Sequence, residues 1–175
     1  MSAFVIPFLE VQDQDQILNE IREIFFESST KKEFKDNEEK ELFFEKYLGY
    51  YLTHHPELTF IALDKKVLGY IVAAPDSNAS GLHALQPHLG VFKKYFNKFP
   101  AHLHINCHHE SRGLGVGGLL ILALENKLKS LNILGVHIMT GADSINRKFY
   151  QKSGFDFEAV ESFRDSSILF MGKCL

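Results

Sequence analysis

The chain has 175 residues, 45% of them apolar and 23% charged, enough for one compact domain to bury a sizeable core. A net charge of −3 gives no electrostatic ground for binding nucleic acid or an anionic membrane, and no segment approaches the roughly 20 apolar residues of a membrane span. Two cysteines, Cys107 and Cys174, form no framework spacing, so a reducing cytoplasm is the expected setting.

Met1 to Pro7 has neither the basic region nor the long apolar run of a signal peptide. Ala3 to Phe8 reads as a first strand. Ile17, Ile21, Ile24 and Phe25 recur at helical spacing and predict a first helix. Ser28 to Glu39 is polar and charged and reads as a solvated loop or helix start. Phe43, Tyr47, Tyr50 and Tyr51 predict a second helix whose aromatic stripe lines the core or a cleft wall. Thr59 to Leu63 and Val67 to Ala74 are strands joined by a turn at Asp64-Lys65-Lys66. Pro75 to Pro100 is a long connection. Within it Leu85, Leu89, Phe92 and Phe96 sit at helical spacing, with Pro87 suited to a first turn. A strand from His102 to Cys107 follows, then a glycine-rich turn, a helix from Leu119 to Leu131, a strand from Ile133 to Met139, and another helix. Two last strands fall near Asp156 to Glu161 and Ser167 to Gly172. Sixteen Phe and no Trp predict a Phe-rich interior. No repeat or linker interrupts the order, so residues 1–175 read as a single domain.

The turn Arg112-Gly113-Leu114-Gly115-Val116-Gly117-Gly118 is the most informative stretch. Glycines between a strand and a helix let the backbone approach a ligand closely. The unpaired N–H groups of the first helical turn then face that ligand, with the positive end of the helix dipole behind them. Such a turn cradles a pyrophosphate. Gly113, Gly115 and Gly118 also satisfy the dinucleotide pattern G-x-G-x-x-G, with Asp143 near the expected place of a ribose ligand. That pattern opens a run of βαβ units on a strand apolar on both faces. Here the strand alternates, with Leu103, Ile105 and Cys107 on one side and His102, His104, Asn106 and His108 on the other. Too few residues follow Asp143 to complete such a domain.

Arg-x-x-Gly-x-Gly, at Arg112, Gly115 and Gly117, resembles the acyl-CoA signature of the GCN5-related N-acetyltransferases. Further along, Asn146, Phe149, Tyr150, Lys152, Gly154 and Phe155 fall in order on that family's second signature. Asn146 and Tyr150, four apart, share one helix face. Asp143 or Ser144 can cap the helix and Gly154 can end it. The resemblance covers Ala101 to Phe157. It implies a mixed, mostly antiparallel α/β sheet of about seven strands with helices on both faces, and transfer of an acetyl group from acetyl-CoA to an amine of a small molecule or protein by direct attack. The stretch from Tyr50 to Ser77 and that from Phe99 to Gly118 are also similar to the acetyltransferase-like domains of O-GlcNAc hydrolases and their stand-alone microbial relatives. That subgroup carries His-Leu-His-Ile-Asp on this strand and Pro-Glu-Tyr before the turn. Here the Asp is Asn106, which cannot act as a base, and the tripeptide is His109-Glu110-Ser111. Some members of the subgroup have lost acetyl-CoA binding, so a non-catalytic binding or interaction module stays open.

The resemblance implies a cofactor site built from Ile105, Asn106 and Cys107 on the strand, Arg112, Gly113, Leu114, Gly115, Val116, Gly117 and Gly118 on the turn, and Asn146, Phe149 and Tyr150 on the later helix. The edge of the strand from His102 can pair with the pantetheine amides as an added strand does. A backbone N–H near Asn106 or Cys107 can polarise the thioester carbonyl. Tyr150 is the candidate acid for the leaving thiolate, a transfer from a phenol near pKa ~10 to a thiol near ~8.5. Asn146 would hold the cofactor or a water. His104, beside Asn106 on one strand face, is the candidate base. His102, His108, Glu110 and Asp143 are its rivals. The strand from Ile133 should splay away to admit the pantetheine, leaving His104 on a cleft. The set His102, His104, Cys107, His108 and His109 also allows a zinc reading, which alternation disfavours because it turns Cys107 away from His104. Cys107 as an acyl-carrying nucleophile lacks a base on its own face. The expected partners are acetyl-CoA and an amine acceptor, without metal, nucleic acid or membrane, and with a homodimer left open.

Overall fold

The computed structural model describes residues 3–175. The first two residues of the stretch Met1 to Pro7, weighed above for signal-peptide features, lie outside these. Seven strands run in the hydrogen-bonded order β1 (Phe4–Pro7), β2 (Phe60–Leu63), β3 (Val67–Ala74), β4 (Ala101–Cys107), β5 (Gly135–Gly141), β7 (Ser166–Cys174) and β6 (Phe157–Phe163), antiparallel at β1/β2, β2/β3, β5/β7 and β6/β7 and parallel at β4/β5. The chain forms two compact units: residues 1–73 with 104–127, and residues 74–103 with 128–175.

In the first unit β1 is Phe4–Pro7, β2 Phe60–Leu63, β3 Val67–Ala74 and β4 Ala101–Cys107, of which the unit holds the second half. The helix α1, Gln14–Ser28, starts where the Asp13 carboxylate accepts the Gln16 N–H at 3.0 Å. Its apolar stripe, Ile17, Ile21, Ile24 and Phe25, is buried, as the spacing predicts. Ser28 to Glu39 gives a loop and then a helix start, where the Asp36 carboxylate caps α2, Asn37–Phe44, by accepting from Glu39 N–H at 2.8 Å. The single second helix expected over Phe43 to Tyr51 is instead three pieces. α2 passes through a π turn at Glu45–Gly49 into α3, Tyr50–His54. One residue is added to the turn, so the aromatic register shifts and Tyr51 becomes fully buried while Tyr47 stays half-buried. Strands β2 and β3 are joined at Asp64-Lys65-Lys66, with a bulge between Ala62 and Leu63. The Glu20 carboxylate of α1 accepts the Val67 N–H at 2.8 Å beside that irregularity. Every residue of β3 is buried, which is why its sequence is a continuous apolar run.

In the second unit β5 is Gly135–Gly141, β6 Phe157–Phe163 and β7 Ser166–Cys174, beside the first half of β4. β5 begins two residues later than expected from the apolar run. The helix expected through Leu85 to Phe96 is not one helix. A short α4, Ser80–Leu85, is followed by a 3-10 stretch at Pro87–Tyr95, because Pro87 opens a new first turn there. The interior is Phe-rich, with Phe92, Phe96, Phe99, Phe155 and Phe170 all almost fully buried. His102, expected on a face with His104, is itself buried here. Its ring stacks on His137 at 5.1 Å and 2°, and His137 stacks in turn on Phe96 and Phe170. That burial removes His102 from the rival bases.

Among the described residues no helix is long and apolar enough to cross a membrane.

Candidate active site

The site in the first unit grows from the end of β4. The His108 N–H donates to the Leu68 carbonyl at 2.9 Å, and the buried Ser111 hydroxyl donates to the same carbonyl at 2.6 Å. These two bonds fasten the 3-10 turn His109–Ser111 to β3 and so fix where the glycine turn begins. Ser111 was not legible as a functional position, since a lone serine in a polar run carries no spacing signal.

Gly113 and Gly115 have φ of +79° and +83°, a left-handed backbone that favours glycine. A Cβ added at Gly113, Gly115 or Gly118 would meet nothing within 4 Å, so no packing within the protein requires glycine there. The Gly115 carbonyl accepts the Leu119 N–H at 3.2 Å, and α5 is Val116–Ser130, three residues longer at its start than the sequence suggested. Glycine's low helix propensity hides that start, and the buried Val116 anchors it. By helix geometry the N–H groups of Val116, Gly117 and Gly118 have no intrahelical acceptor. Arg112, Gly113, Leu114, Gly115 and Gly118 are exposed, so a pyrophosphate can reach these donors and the Arg112 guanidinium.

Along β4, His104, Ile105, Asn106 and Cys107 are half-buried. The Asn106 amide donates to the Tyr70 hydroxyl at 2.8 Å. Tyr70 is buried, and burial pushes its phenol well above the ordinary range, so it remains a neutral partner. Asn106 is thereby held as an oriented amide. Gly69 lies opposite: a Cβ there would stand 2.8 Å from the Asn106 carbonyl oxygen and 3.1 Å from the Cys107 Cα. The sequence gives no motif for Gly69, because the approach that demands it is between distant strands. Gly69→Ala is expected to cost about 1–3 kcal/mol, since backbone must shift to admit the methyl. Thermal unfolding checks this, and an unchanged Tm would show that β3 and β4 relax freely there.

Burial pushes the Cys107 thiol up to about 11, against a smaller lowering by Arg112. That shift keeps the sulfur a thiol at neutral pH and works against an acyl-carrying nucleophile. Iodoacetamide at pH 8 is expected to label the exposed Cys174 at least ~10-fold faster than Cys107. Peptide mass spectrometry reads the ratio, and equal labelling would contradict the half-buried, raised-pKa thiol at Cys107.

The His104 Nε2 lies 3.1 Å from the Tyr51 hydroxyl, and the imidazole is flanked by the rings of Tyr47 and Tyr51. Glu110, a rival base, accepts from Lys66 Nζ at 2.6 Å, and that bond holds its carboxyl below the usual range. The zinc set does not assemble as the sequence allowed. Among the described residues the metal-type group is Glu27, His108 and His109, with ligand atoms within 4.8 Å of one another. His104 and Cys107 are not in this group, and alternation accounts only for the separation of Cys107 from His104.

The second unit carries the other signature. α6 is Arg147–Lys152, and Asn146 occupies its N-cap without a side-chain cap bond. This corrects the expected cap: Ser144 Oγ accepts the N–H of Asn146, at 3.3 Å, one step before the helix. The Tyr150 N–H donates to the Asn146 carbonyl at 3.2 Å, which puts the two residues one turn apart as the spacing predicts. Asn146 is exposed, Phe149 half-buried and Tyr150 buried against Phe149 and Phe155. Gly154, at φ +87°, ends the helix with a Schellman closure: Phe155 N–H donates to Tyr150 O and Gly154 N–H to Gln151 O, each at 3.0 Å. Asp143 is exposed and lines a shallow depression with Ala142, Ser144, Ile145, Arg147 and Lys148.

The model of the acetyltransferase (GNAT) family matches residues 15–155. No curated protein matches the chain significantly by sequence. Among solved structures the chain is similar to SsHAT, with 18% identity, a TM-score of 0.76, and 99% of this chain and 98% of that one covered. It is similar to PH1933 from Pyrococcus horikoshii OT3, with 16% identity, a TM-score of 0.73 and 99% of each chain covered. The PaiA N-acetyltransferase from Thermoplasma acidophilum, solved in complex with coenzyme A, gives 18% identity, a TM-score of 0.63 and full coverage of both chains. At such identities the likeness shows the shared fold.

Proposed function

The chain belongs to the acetyltransferase (GNAT) family and is an acetyl-CoA-dependent N-acetyltransferase, and from that premise we propose that it acetylates an amine by direct attack on the thioester, with residues 1–175 acting as one catalytic domain. The observation that carries this reading is the glycine turn. Its left-handed glycines, its open outer space and the free N–H groups at the head of a 15-residue helix make an anion cradle.

In this reading the turn from Arg112 to Gly118 takes the pyrophosphate. The ladder of β4 with β5 comprises Ala101↔Val136 and His102↔His137 among the described residues, which supports pairing of the β4 backbone at Ile105, Asn106 and Cys107 with the pantetheine amides. The backbone there polarises the thioester carbonyl, and the Asn106 side chain, held by Tyr70, keeps that stretch in register. The amine nitrogen bonds to the carbonyl carbon, its proton passes to His104, and the carbon–sulfur bond breaks. Tyr150 protonates the departing thiolate. Asn146 contacts the cofactor from the start of α6, with Phe149 beside it. The acceptor is an amine of a small molecule or protein, and free Cys107 and Cys174 support a cytoplasmic setting.

The test is a thiol-release assay with acetyl-CoA over a panel of small amines and lysine peptides. At least one acceptor should raise thiol release well above hydrolysis, and His104→Ala should lower kcat/KM and remove a limb near pH 6–7. Saturable acetyl-CoA binding with no transfer to any amine would replace this reading by a non-catalytic module.

A further inference from the structure

The pair formed by His104 and Tyr51 goes beyond the signatures, and it deepens the reading that His104 is the base. Tyr51 belongs to the aromatic stripe assigned to the core or a cleft wall, and its side chain is fully buried. It sits in α3, just after the π turn that displaces the aromatic register, and that displacement aims its hydroxyl at the imidazole. The Oη–Nε2 separation is 3.1 Å. The Tyr51 ring meets the imidazole edge to face at 5.1 Å and 77°, and the Tyr47 ring does so at 5.8 Å and 84°. Two aromatic edges and one hydrogen bond therefore fix the plane and rotation of a half-buried ring, which a surface histidine would not need.

The chemistry of that bond has two arrangements. If the phenol donates to Nε2, the other nitrogen carries the hydrogen and the neutral ring has no lone pair left for an incoming amine. If Nε2–H donates to the phenol oxygen, Nδ1 keeps its lone pair and is the atom that takes the proton. The second arrangement also persists after protonation, because both nitrogens of an imidazolium donate. The first does not, because the phenol must turn its hydrogen away.

We infer that Tyr51 is a positioning residue that accepts the Nε2–H of His104 and so assigns Nδ1 as the proton-accepting atom for the acceptor amine. It touches neither cofactor nor acceptor and acts through His104. The geometry rests on a buried phenol whose ring is retained in Tyr51→Phe, so the hydroxyl can be removed while the packing stays.

The experiment uses the full-length protein labelled with 15N-histidine, with the His104 resonances identified by their loss in His104→Ala. In the wild type at pH 8 His104 should be a single Nε2–H tautomer. In Tyr51→Phe a detectable Nδ1–H fraction should appear, and the titration midpoint of the ring should fall by about half a pH unit, because the imidazolium loses an acceptor. With the best amine from the acceptor screen, Tyr51→Phe should lower kcat about 5-fold with KM within about 2-fold. An Nδ1–H tautomer in the wild type, or an unchanged tautomer and midpoint in Tyr51→Phe, overturns the inference. The base assignment fails separately: if His104→Ala keeps full activity and its acid limb, His104 is not the base, whatever the tautomer shows.

Discussion

Gly115→Val is expected to weaken acetyl-CoA binding at least 100-fold, from a dissociation constant in the micromolar range, about −7 to −8 kcal/mol. Two effects combine. Gly115 stands at φ +83°, where a β-branched residue is strained, and its side chain would enter the open space above the helix N-terminus. Strain could also perturb the start of α5, so a second variant separates the causes. Gly117 is not among the left-handed glycines and lies inside the first turn of α5. Gly117→Val should therefore keep the thermal midpoint in the absence of ligand while losing binding by blocked approach. Micromolar binding by both variants would show that the cofactor's phosphates sit elsewhere.

Tyr150→Phe is expected to lower turnover roughly 10²-fold with binding of CoA and the fold retained. The ring is buried against Phe149 and Phe155, and those contacts survive loss of the hydroxyl. The Schellman closure of α6 uses the Tyr150 carbonyl and is likewise untouched. The deficit should therefore fall on kcat, where the thiolate must gain a proton. Unchanged turnover with an acceptor for which chemistry is rate-limiting would show that water or another group supplies that proton.

The sequence made the strand, turn and helix elements of the candidate site legible because their signals are local. A strand that alternates, a run of glycines and an Asn-to-Tyr spacing each depend on residues within one turn or one strand. The strand–turn–helix from β4 to α5 and the closure at Gly154 follow from such signals. The errors lie where neighbours distant in the chain decide. Insertion of one residue at Glu45–Gly49 makes a π turn that no periodicity announces, and Pro87 splits a helix whose apolar spacing looks continuous. Alternation placed His102 with His104, yet the ring stack with His137, 35 positions on in the chain, buries it. Ser111 and Gly69 carried no signal for the same reason, and Tyr51, read only as part of an aromatic stripe, gave no sign of its pairing: their partners are Leu68, Asn106 and His104, each at least 37 positions away in the chain. Glu110, one of the rival bases, is held by Lys66, 44 positions away in the chain.

Calorimetric titration of the intact protein with acetyl-CoA reads out whether the glycine turn holds the cofactor. A saturable, one-to-one isotherm with a micromolar dissociation constant is expected, and it should disappear in Gly117→Val. No heat of binding at high micromolar acetyl-CoA, or an isotherm that Gly117→Val leaves unaltered, would contradict binding through that turn.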